Sequence, residues 1–147
     1  MSTTYANILL LQQIHHTDRV TDKYGNIELT FLGLKYYYVS KLGVVFNKYS
    51  SEHARKIVYE DMVMLDPIIP VPWIHIENTP FNWLPVNQLL GWAYQPYTDI
   101  TPKYFLNALP NMWCSDIQTY TWRTDEDVAK YKDSQLYQFM QSIYKTI

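Results

Sequence analysis

The stretch Asn26-Ile-Glu-Leu-Thr-Phe-Leu-Gly-Leu-Lys-Tyr-Tyr-Tyr-Val-Ser-Lys-Leu-Gly-Val-Val-Phe-Asn-Lys-Tyr49 decides the fold class, because it carries two periodicities. Leu29, Leu32, Tyr36, Val39, Leu42, Phe46 and Tyr49 recur every three or four residues, which is the stripe of an amphipathic helix. Against this, Ile27, Leu29 and Phe31 alternate with Glu28 and Thr30, which is strand period. The tyrosines favour strand, and Gly33 and Gly43 each cost a helix about 1 kcal/mol. The stripe accounts for more residues than the alternation, so the pattern predicts a helix over 27–48. Gly25-Asn26 then forms the turn of a helical hairpin.

Working outward, Ser2, Thr3 and Thr4 offer caps for a first helix over 4–23, with Tyr5, Ile8, Leu11 and Ile14 or His15 on one side. Ser50 and Ser51 precede a third helix over 51–65, which Asp66-Pro67 ends. Thr124 caps a last helix over 125–146, with Asp125, Glu126 and Asp127 at the positive end of its dipole. Its stripe is Val128, Tyr131, Leu136, Phe139 or Met140, Ile143 and Ile147.

Between these helices the composition changes. All 8 prolines lie from Pro67 to Pro110, all 5 tryptophans from Trp73 to Trp122, and no lysine or arginine occurs from Ile57 to Pro102. Proline opposes regular helix and central strand, so 66–123 reads as an irregular Pro/aromatic segment packed on or projecting from the helical body. It has room for short helices starting at Pro85 and Pro102, and for a strand in Ile117–Trp122. The expectation is a mainly α fold, a single domain over 1–147, with α+β carrying a hairpin at 27–46 as the alternative.

The totals exclude several function classes. A net charge of −2 argues against nucleic acid as a partner. Lys35, Lys41, Lys48, Arg55 and Lys56 lie among tyrosines, but read better as a solvated helix face. The 1 cysteine, Cys114, excludes an internal disulfide and multi-cysteine zinc sites, and points to an intracellular setting or an assembled particle. No apolar run is long enough to span a membrane. No phosphate loop, dinucleotide fingerprint, nucleophile elbow or paired-histidine zinc motif is present, so neither cofactor nor metal is expected. His15-His16-Thr17-Asp18 lacks the spacing that puts two ligands on one helix face and reads as a solvated helix end. His75-Ile-Glu77 matches half of a zinc deaminase signature whose other half is missing. Extended, these two residues point the same way and form a candidate acid–base pair, the basis of a hydrolase-like reading.

The leading expectation is therefore a non-enzymatic interaction or assembly subunit, an adaptor of a larger complex such as a viral or phage particle. Its partner would be another protein or further copies of the chain. Aromatic side chains dominate interface hot spots, and prolines lower the entropy of ordering a segment. Trp73, Phe81, Trp83, Trp92, Tyr94 and Tyr97 are the candidate contact residues. An inhibitor or immunity-type protein, using the base-free middle segment against a basic target, is the alternative.

Overall fold

The computed structural model describes residues 3–34, 37–47, 56–57, 62–63, 68–69, 71–75, 83–99, 101–107 and 117–144. Asn26–Tyr49 is not a helix. Within it lie strands β1 (Ile27–Glu28), β2 (Tyr37–Val39) and β3 (Val45–Asn47), with a 3-10 turn over Leu29–Leu32. The chain is a mixed α+β protein of small antiparallel sheets and helices, not a mainly α one.

The reason is burial in register. Ile27 faces Val39, Val39 faces Val45, and all three are buried. This row packs inward as a period of two requires, while Glu28, Tyr38 and Phe46 form the opposite row. Gly33 and Gly43 have φ of 79°, a left-handed geometry that a helix cannot contain. The apparent stripe arose because the 3-10 turn buries Leu29, Phe31 and Leu32 together.

The first helix, α1, spans Thr3–His16 and stops short of the expected residue 23. Asp22 is the cause. Its Oδ1 accepts from the N–H of Tyr24 at 2.8 Å and of Asn26 at 2.9 Å, an Asx turn that competes with helix. Val20 and Thr21 then run beside β1.

Of the expected helix 51–65, the described residues are strands β4 (Lys56–Ile57) and β5 (Met62–Val63). The strand β4 completes a sheet of order β1-β2-β3-β4. The strand β5 pairs with β6 (Trp73–Ile74), and β6 with β7 (Leu84–Pro85).

The described parts of 66–123, expected to be irregular, hold strands and a helix that form much of the core. Helix α2 (Val86–Tyr94) starts after Pro85, as the sequence suggests, and Val86 to Ala93 are all buried. Lys103–Asn107, expected as a helix, is strand β8, paired with β9 (Tyr120–Thr124), which overlaps the strand expected over Ile117–Trp122. Tyr104, Phe105 and Leu106 are buried on consecutive positions, so both faces of β8 are covered. Phe105 packs under α2 at Gly91, where a Cβ would lie 2.7 Å from the Phe105 Cβ.

The last helix is broken. Helix α3 (Asp125–Val128) carries a capping box between Thr124 and Asp127. A 3-10 turn over Ala129–Tyr131 follows, and α4 (Gln135–Tyr144) restarts where the buried Ser134 accepts from the Tyr137 N–H at 3.0 Å. Val128, Leu136, Met140 and Ile143 are buried as the stripe predicts. Phe139 is only half-buried, edge-on to Trp73 with centroids 5.5 Å apart.

Candidate functional site

Where the six candidate contact residues fall separates them. Trp73 and Trp92 are core residues, with relative exposures of 4% and 0%. Rings this deeply covered leave a partner almost no surface, so in the structure these two are packing residues rather than contact residues. Tyr94 and Tyr97 are half-buried and hydrogen-bonded inward, Trp83 is half-buried, and Phe81 lies outside the described residues, as do Glu77 and Cys114.

Trp83 and His75 are the next pair beyond Ile74↔Leu84 on the β6–β7 ladder. Their rings lie 5.4 Å apart at 59°, and His75 is exposed. The imidazole is thus engaged with an indole, while its expected partner Glu77 lies in the connection outside the described residues.

A second cluster joins α1, the turn after α2, and α4. The buried His15 contacts the Tyr97 carbonyl through Nδ1 at 2.9 Å and the Tyr144 hydroxyl through Nε2 at 3.1 Å. A carbonyl only accepts, so Nδ1 carries the proton and Nε2 accepts from Tyr144. His15 is thus not part of a solvated helix end, and its burial holds its pKa below 6.5, which favours this neutral tautomer. The Tyr97 ring lies 4.4 Å from that of His15, and its hydroxyl donates to the Thr101 carbonyl at 2.7 Å. Burial raises the Tyr97 pKa to about 12 and pushes Tyr144 up further. A neutral histidine between two protonated phenols is a fixed strut.

Arg19 sits beside this cluster and closes two helix ends. Its guanidinium donates to the Ile14 carbonyl at 2.7 Å, the Thr17 carbonyl at 2.6 Å, and the Trp92 carbonyl at 2.7 and 3.0 Å. Ile14 and Trp92 lie in the last turns of α1 and α2, where carbonyls lack helical partners. The side chain also covers the Phe31 ring at 4.1 Å. Burial lowers its pKa to about 10, which leaves it charged at neutral pH.

Two more polar groups are internal. Asn87 Nδ2 donates to the Phe105 carbonyl at 2.9 Å and Gln88 Nε2 to the Lys103 carbonyl at 2.8 Å, so α2 closes the edge of β8 that β9 leaves open. The Tyr104 hydroxyl donates to Asp125 Oδ1 at 2.6 Å, and Gln141 Nε2 reaches both, at 3.1 and 3.0 Å. Sequence reasoning missed Arg19 and this Tyr–Asp–Gln group, whose members are 21 and 16 residues apart in pairs. For Asn87 and Gln88 a signal existed: two amides inside an otherwise apolar helix need partners.

Among the described residues, no group of three or more His, Cys, Asp and Glu side chains is placed to hold a metal ion. Among them, no helix is long and apolar enough to cross a membrane. Comparison with protein-family models, curated proteins and solved structures gives no match.

Proposed function

We propose that this protein is a non-enzymatic interaction protein, a subunit or adaptor of a larger assembly, and that the His75–Trp83 end of the β6–β7 ladder contacts a protein partner. The observation that carries the reading is the indole of Trp83, partly buried against the core and held against an exposed imidazole beside proline-bounded strands. Such a ring is already oriented, so covering it costs little entropy. Tryptophan is the residue most enriched among interface hot spots. The strongly shifted groups described above do structural work inside the fold.

The test pairs stability with binding. The partner is isolated by pull-down from the native host and identified by mass spectrometry; light scattering after size exclusion reports self-assembly. Trp83→Ala should weaken the contact by about 2 kcal/mol or more, roughly thirty-fold, with little change in melting temperature. A stability loss of core size, about 3–5 kcal/mol, would make Trp83 a packing residue and refute the proposal.

A further inference from the structure

Two turns in this chain are built alike. Asp22-Lys-Tyr-Gly25 and Ser40-Lys-Leu-Gly43 share the order of a capping side chain, a lysine, a large apolar residue and glycine. In each, the glycine N–H donates to the first residue's carbonyl, at 3.1 and 3.0 Å. The first side chain accepts from the third and fifth N–H groups: Asp22 at 2.8 and 2.9 Å, Ser40 at 3.3 and 3.2 Å. Gly25 and Gly43 have φ of 84° and 79°, the left-handed residue that closes such a hairpin.

The register puts both turns at one end of the sheet. One turn immediately precedes Ile27, the other follows Val39, and Ile27 faces Val39. A single hydroxyl ties them: Tyr94 Oη lies 2.8 Å from the Gly25 carbonyl and 2.9 Å from that of Val39. The paired tips present Tyr24 at 73% and Leu42 at 67% exposure, the two most exposed large hydrophobic residues described, each next to an exposed lysine.

We infer that the paired tips dock on an anionic lipid surface, with Tyr24 and Leu42 entering the headgroup layer and Lys23 and Lys41 meeting lipid phosphates. Three arguments favour lipid over a protein partner. The contact is small: a tyrosine buries at most about 250 Å², and two such tips fall short of the roughly 800 Å² per partner of a stable protein interface. The tips project as turns, and a bilayer needs no matching cleft. Lysine is depleted at protein interface cores, whereas beside an inserted apolar group its stem lies along the apolar region and its ammonium reaches the phosphates. Asp22, the acid within the tips, is bonded into its turn, accepting also from Asn26 Nδ2 at 3.1 Å, and keeps its charge, so Lys23 and Lys41 together leave the tips with a small positive excess. Binding of this size is weak and reversible, and would supplement the protein contact proposed above.

The experiment is co-sedimentation of the full chain, at low ionic strength, with vesicles of phosphatidylcholine and phosphatidylserine at about 2:1, and with phosphatidylcholine alone. Wild type should partition onto the mixed vesicles and release as salt rises. Leu42→Ser and Tyr24→Ser should each lower the partition coefficient about tenfold. The double change Lys23→Glu and Lys41→Glu should remove the preference for phosphatidylserine. All these side chains are exposed, so circular dichroism and melting temperature should match wild type. Wild type remaining in the supernatant at low salt overturns the inference, as does binding that none of the variants weakens. If wild type ignores vesicles and the lysine variant instead loses an identified protein partner, the tips are a protein contact. None of these outcomes involves Trp83, so failure here is distinct from failure of the proposed protein contact.

Discussion

Replacing Gly91 with alanine sets two effects of opposite sign against each other. In an open helix the change gains about 1 kcal/mol from helix propensity. Gly91 is not open. A Cβ there would stand 2.6 Å from Phe105 Cγ, 2.7 Å from Phe105 Cβ and 2.7 Å from Trp122 Cη2. Ordinary carbon contacts are about 3.5–4.0 Å, so relief needs a displacement of roughly 1 Å. Phe105 Cβ cannot swing away, because its position is set by the backbone of β8, paired along its length with β9. Helix α2 must lift instead, which lengthens the Asn87–Phe105 and Gln88–Lys103 hydrogen bonds, now 2.9 and 2.8 Å. Overpacking of this kind costs about 1–3 kcal/mol, and each weakened buried hydrogen bond about 1 kcal/mol. The net expectation for Gly91→Ala is a loss of about 2–4 kcal/mol, measured by urea denaturation with an unchanged m-value. A variant as stable as wild type, or more so, would show that the close approach of α2 to β8 is not as described.

The buried His15 makes stability depend on pH. Its folded pKa lies below the unfolded value near 6.5, so the neutral form is favoured in the fold and its contribution is complete above that value. As pH falls from about 6.5 toward the folded pKa, the unfolded chain takes up a proton the native imidazole refuses, and stability should drop by up to about 1.4 kcal/mol per pH unit. His15→Gln should flatten this part of the urea-midpoint profile; an unchanged slope would assign it to other groups. Arg19→Lys keeps the charge but cannot reach the carbonyls of Ile14, Thr17 and Trp92 together. It should cost about 1–3 kcal/mol in the same assay, and a neutral result would remove the double helix cap from the account.

What the sequence disclosed follows from which signals are local. The start of α2 after Pro85 and the cap at Thr124 rest on turn and cap chemistry written in adjacent residues, and the structure has both, while the strand expected over Ile117–Trp122 lies at Tyr120–Thr124, after a 3-10 turn over Ile117–Thr119. The region 27–48 failed because both periods were present and the choice depended on partners far away. Val39 is buried because Ile27 and Val45 flank it, and because Tyr94, 55 residues on, bonds its carbonyl. No window centred on Val39 contains that tyrosine. Yet the glycines carried the deciding information. Gly25 and Gly43 each follow a polar capping residue by three positions, with lysine and a large apolar residue between, and read together the two stretches describe one turn written twice. A helix has no use for that repeat, whereas a hairpin end does. The tryptophans show the converse limit. Composition marked the Pro/Trp segment as unusual, but whether an indole faces core or solvent depends on what packs over it. Trp92 lies beneath the chain and Trp83 at its surface, although both come from the same proline-punctuated stretch. Aromatic enrichment marked the region but not the setting of each ring, and only the sheet register brings Trp83 beside His75.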